Sequence, residues 1–117
     1  MKEFEELQQR TKRFALRILK LYRSLPKTDE GRILGKQILR SGTSIGANYR
    51  AACRGKSKAD FLNKLKIVEE ELDETLFFME LLVELNPELK EKIDTIYKEG
   101  NELLSIIVAA INTLRSK

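Results

Sequence analysis

The sequence predicts an all-α fold: a single domain over residues 1–117, built as an antiparallel up-down-up-down four-helix bundle. Two observations carry that prediction. Apolar residues recur every three or four positions along the chain, the spacing of one helix face and not the alternation of a strand. Helix-breaking residues punctuate it at Leu25-Pro26, Arg54-Gly55 and Asn86-Pro87, leaving four stretches of helical length. Short connections between long helices make successive helices antiparallel neighbours.

The first helix is read from Phe4, Leu7, Thr11, Phe14, Ile18, Leu21 and Leu25, and Pro26 stops it by disfavouring helix in the residue before it. Thr28 is the expected N-cap of the second, with Asp29 and Glu30 suited to its positive end. Its core stripe is Leu34, Ile38, Ser41, Ile45, Asn48 and Ala52. The adjoining face, Leu39, Gly42, Gly46, Tyr49 and Cys53, is small in its middle and predicts a shallow groove where a neighbour approaches closely. Gly55 fits a left-handed residue just past the helix end. Ser57 to Asp60 forms a variant capping box that opens the third helix, whose core stripe is Phe61, Leu65, Val68, Leu72, Thr75, Met79 and Leu82. Asn86 and Pro87 are expected to cap and open the last helix, which buries Leu89, Ile93, Ile96, Gly100, Leu103, Ile107, Ala110 and Leu114.

Composition narrows the function. With 42% hydrophobic and 34% charged residues the chain suits a globular protein, and no apolar run approaches the roughly 18 residues of a membrane span. A single cysteine, Cys53, fits a reducing cytoplasm. The sequence has no histidine, which removes Ser-His-Asp and Cys-His catalysis and most zinc and di-iron designs. Gly55-Lys56-Ser57 ends like a phosphate-binding loop, but Arg50 stands where that motif needs its first glycine and no strand precedes it. No cofactor, no metal and no catalytic residue is expected. A metal held by Glu70, Asp73 and Glu74 is the remote alternative.

Three features ask for partners. The run Leu103–Ile111 is apolar nearly all round, more than one buried face needs, and makes Leu104, Ile107, Val108 and Ile111 candidates for an oligomer interface. Ser41, Ser44 and Asn48, with Glu70 and Glu74 on the next helix, form a candidate structural polar network, for which Arg40, Arg50 or Arg54 could supply the matching fork. Charge is unevenly divided. Residues 1–66 hold 17 Lys and Arg against 6 Asp and Glu, a net of +11; residues 67–117 hold 5 against 12, a net of −7. Arg13, Arg17, Lys20, Arg23, Arg40, Arg50, Arg54, Lys56 and Lys58 are therefore candidate phosphate contacts. The same charge could instead meet the acidic half within the fold or an oligomer.

Residues 38–82 carry a specific resemblance. Ser41-Gly42-Thr43-Ser44-Ile45-Gly46-Ala47-Asn48, then Ser57 with Asp60-Phe61, then Glu70-Glu71-Leu72-Asp73-Glu74-Thr75, resemble the bacterial 23S rRNA intervening-sequence protein family. Phe78 departs from its pattern, standing where many members carry tryptophan. The resemblance implies a compact bundle assembling into a ring, typically a homopentamer with basic surfaces, and implies no catalytic activity. A related bundle serves as an accessory factor to reverse transcriptases of diversity-generating retroelements.

The function expected from these readings is a non-enzymatic, homo-oligomeric nucleic-acid-binding protein of the cytoplasm, RNA favoured, contacting phosphates through basic surfaces. The alternative is an interaction scaffold, or an accessory factor to a polymerase, whose basic ring docks an acidic protein.

Overall fold

The computed structural model describes residues 2–116, and the local signals explain most of its helix ends. Helix α1 spans Lys2–Ser24, α2 Asp29–Cys53, α3 Lys58–Leu85 and α4 Lys90–Arg115. Thr28 caps α2 by accepting a 3.0 Å hydrogen bond from the Gly31 amide. Ser57 caps α3 by accepting one of 3.1 Å from the Asp60 amide.

Two ends differ from the expectation. Gly55 does not adopt a left-handed conformation. A side chain there would lie 3.1 Å from the Ala52 carbonyl oxygen and 3.3 Å from Asp60 Cβ, so glycine serves the tight α2–α3 passage and not its handedness. Asn86 does not cap the last helix; its side-chain amide donates to the Leu82 carbonyl oxygen and closes α3 instead. Pro87–Leu89 then form one 3₁₀ turn before α4 begins. Proline's fixed φ suits that tighter turn, which carries the chain round to α4.

Neighbours in sequence pack on one another, and α4 closes against α1. The molecule measures 46 × 22 × 20 Å, close to the length expected for helices of this size. Glycines set the closest approaches. Gly42 lies against Ile18, Gly35 against Leu25 and Tyr22, and Gly46 against Thr11, all between α1 and α2. Gly100 of α4 lies beneath Phe14 of α1 and Leu76 of α3. Between them runs one core that includes Phe14, Ile18, Ile38, Ile45, Leu65, Leu72, Met79 and Leu103, all without exposed surface.

The apolar run of α4 contributes mostly to this core. Ile107 and Ile111, expected at an oligomer interface, are 1% and 3% exposed within a single chain. Leu104 is half-buried against the core, and Val108 is also half-buried. Flanked by α1 and α3, α4 buries a wider stripe than a helix with one neighbour. What remains outward from the run is Ser105, Ile106 and Ala109.

Candidate nucleic-acid interface

The fold sorts the basic residues into those already paired and those that are not. Arg10 lies between α1 and α4 and donates from Nε and Nη2 to Glu99, at 3.1 and 2.7 Å, with Nη2 also 2.9 Å from Glu102. This bidentate clamp holds its proton above the ordinary arginine range, the Glu99 hydrogen bond being the largest cause. Arg40 donates to Glu71 at 3.1 Å and to Glu74, and the charge of Glu71 is the main reason its proton is held more tightly than usual. Both arginines spend their charge within the bundle.

The other candidate phosphate contacts have no acidic partner among the described residues. Arg13, Lys20 and Arg23 stand exposed on α1, and the guanidinium of half-buried Arg17 between them donates, among the described residues, only to the Thr95 hydroxyl, at 3.2 Å. Spacings of three and four residues bring Arg13, Arg17, Lys20 and Arg23 along one side of that helix. Arg54, Lys56 and Lys58 are exposed in and beside the α2–α3 turn, with Arg50 one turn earlier on α2. The structure thus divides the candidates into an α1 face and a turn cluster, and removes Arg40 from both.

The polar network forms, with one substitution. Ser44 donates to Glu71, and Glu71 also receives Arg40 while only 14% of its side chain is exposed. Ser41 and Thr75, both wholly buried, place their hydroxyls 2.8 Å apart, and Thr75 Oγ1 lies 2.7 Å from the Glu71 carbonyl oxygen. Asn48 stays on its own helix, donating to the Ser44 carbonyl oxygen at 2.9 Å. Glu74 joins through Arg40, whereas Glu70 is exposed and makes no hydrogen bond or ion pair among the described residues. Glu71 takes the place expected for Glu70 because it lies one turn before Thr75 on the flank facing α2.

The network makes a stability prediction. Thr75→Val should cost about 1–3 kcal/mol by leaving the Ser41 hydroxyl without its best partner. Adding Ser41→Ala should recover part of that loss, because an apolar pair replaces a broken polar one. Urea unfolding of the single and double variants measures both, and strict additivity would contradict the pairing.

A groove of about 430 Å³ lies between α1 and α2, lined by Gln8, Gln9, Lys12, Ala15, Thr43, Gly46, Ala47 and Arg50. The small face of α2 predicts a groove, and Gly46 belongs to it. Its glutamines carry no signal in the sequence, because they follow no helical stripe and only docking α1 onto α2 assembles them. Among the described residues no three of His, Cys, Asp or Glu converge as a metal-holding group, and no helix is long and apolar enough to cross a membrane.

Comparison with known proteins places this geometry. A solved structure from Bacteroides thetaiotaomicron, a protein of unknown function from the S23 ribosomal protein family, superposes with a TM-score of 0.83 at 38% sequence identity. The match covers 90% of this chain and 97% of that one. No curated protein is significantly similar. The model of the 23S rRNA-intervening sequence protein family matches residues 5–109, nearly the whole bundle. The chain belongs to the 23S rRNA-intervening sequence protein family.

Proposed function

We propose that this protein is a non-enzymatic, homo-oligomeric nucleic-acid-binding protein of the cytoplasm that contacts phosphates through its α1 face and its α2–α3 turn. One observation carries the reading. Arg13, Lys20, Arg23, Arg50, Arg54, Lys56 and Lys58 are exposed with no acidic partner among the described residues, although the chain holds 18 Asp and Glu. Cations left unpaired beside so many carboxylates favour a polyanion as their partner. The absence of histidine supports a binding role over catalysis.

Within each chain the helices run antiparallel, up-down-up-down. The contacts support this: as numbering rises from Ser41 to Ser44 on α2, their partners fall from Thr75 to Glu71 on α3. Arg10 with Glu99 and Arg17 with Thr95 give the same sense between α1 and α4. Self-association into a ring, a homopentamer, is supported by the large apolar side chains that one chain leaves exposed. Leu16, Ile33, Phe77 and Leu85 are each at least half uncovered.

The test is titration of a labelled structured RNA hairpin across salt, beside matched single-stranded RNA and duplex DNA, with mass measured by light scattering. Wild type is expected to bind with a steep negative salt slope and to elute as an oligomer. Arg13→Glu, Arg17→Glu and Lys20→Glu together should flatten the single-strand slope by about 2, at roughly 0.7 for each phosphate no longer neutralised. No binding at low salt would overturn the nucleic-acid reading, and a monomeric mass would overturn the ring.

A further inference from the structure

We propose that the groove between α1 and α2 is a binding site for one nucleotide of a single-stranded nucleic acid, with Lys12 on its phosphate and Arg50 stacked on its base. This deepens the nucleic-acid reading and rests on it. The groove differs from the α1 face in kind. A flat basic face offers charge alone, whereas this one has volume, a floor and uncommitted hydrogen-bonding groups.

Its volume of about 430 Å³ falls within the roughly 300–1,000 Å³ usual for small-ligand sites, large enough for a nucleotide unit. Ala47 and Gly46 contribute the floor, so no long side chain fills the space where a flat base would lie. No carboxylate lines the groove, and neither Lys12 nor Arg50 has an ion-pair partner among the described residues. The side-chain amides of Gln8 and Gln9 make no hydrogen bond among the described residues, which leaves donors and acceptors for base edges. Duplexes hide those edges in pairing, while single strands splay them out for stacking on aromatic rings or guanidinium planes. No aromatic side chain lines this groove, so the plane of Arg50 has that task.

The arginine plane gives a test that charge alone does not satisfy. Wild type and variants are titrated with hexauridylate, hexathymidylate and inorganic polyphosphate of similar charge, with circular dichroism to verify folding. Arg50 is exposed, so Arg50→Lys should leave the bundle intact. Arg50→Lys is expected to weaken both hexamers about tenfold and leave polyphosphate unchanged, since the charge survives and the plane does not. Gln8→Ala with Gln9→Ala should do the same to a lesser degree. Tighter binding of either hexamer than of polyphosphate supports the site. Hexamer affinity unchanged in Arg50→Lys but reduced by reversal of Arg13, Arg17 and Lys20 would overturn the groove and leave the broader function standing. Equal losses of hexamers and polyphosphate in Arg50→Lys would reduce the groove to a charge site and also overturn it. Failure of wild type to bind either hexamer would overturn the groove, and failure to bind the RNA hairpin as well would remove the nucleic-acid reading itself.

Discussion

Replacing Phe14 with alanine is expected to lower the free energy of unfolding by about 3–5 kcal/mol, a large fraction of the stability of a domain this size. Phe14 has no exposed surface, and its ring reaches across from α1 to meet α4. The receiving position is Gly100, where an added Cβ would lie 3.1 Å from Phe14 Cζ and 3.0 Å from Leu76 Cδ2. The ring fills the space that the missing side chain leaves, so three helices meet at one point. Truncation would remove the transfer energy of an aromatic side chain and leave a cavity that rigid helices cannot collapse to fill.

The same geometry sets the sign of a coupling. Gly100→Ala alone gains about 1 kcal/mol of helix propensity but presses its methyl on the ring and on Leu76. Combined with Phe14→Leu, whose shorter side chain makes room, it should cost less than the two singles together. Chemical denaturation of the four proteins in the cycle gives the coupling directly. Additive losses would mean that Phe14 and Gly100 do not pack on each other.

These contacts mark where the sequence is readable. Thr28 and Ser57 are recognisable as caps because a cap is a local arrangement: an oxygen three residues before a free amide. The core stripes are readable for the same reason, since one face of a helix repeats at a spacing that needs no knowledge of its neighbour. Phe14, Ile45, Leu72 and Leu103 fall where the spacing puts them.

Whatever depends on docking is harder to read. Glu70 and Glu71 are adjacent and chemically identical, and only the rotation of α3 against α2 decides that Glu71 meets Arg40 and Ser44. Ile107 is legible as apolar, yet the width of the stripe that α4 buries depends on its having two neighbours. Charge shows the same division. The excess of positive residues in the first 66 positions is visible in the sequence, but it conceals that Arg10 and Arg40 are neutralised across helix seams. The residual field therefore comes from fewer cations than the count suggests.

Glycine substitutions in α2 should break the helix-propensity rule in a graded order, and Gly42→Leu should have the largest effect, about 3 kcal/mol of destabilisation. Propensity alone predicts that every interior Gly→Ala change stabilises a helix by about 1 kcal/mol. At Gly46 the added Cβ would meet Thr11 at 3.3–3.4 Å, a contact that a small shift of α1 relieves. Gly46→Ala is therefore expected to be near neutral, propensity offsetting compression. At Gly42 the Cβ would lie 2.8 Å from both Cγ1 and Cγ2 of Ile18. Ile18 is fully buried and branched at Cβ, so neither carbon can move without the other or without its backbone. Gly42→Ala should then destabilise by about 1–2 kcal/mol despite its gain in propensity. Leucine adds three more carbons to a space that cannot accept the first. Ile18→Ala removes both opposing carbons, so Gly42→Ala should cost less on that background than in wild type. Thermal and urea unfolding of this series would measure the α1–α2 separation in units of energy. A stabilising Gly42→Ala would show that the two helices lie further apart than these contacts require, and the groove beside Gly46 would then be wider as well.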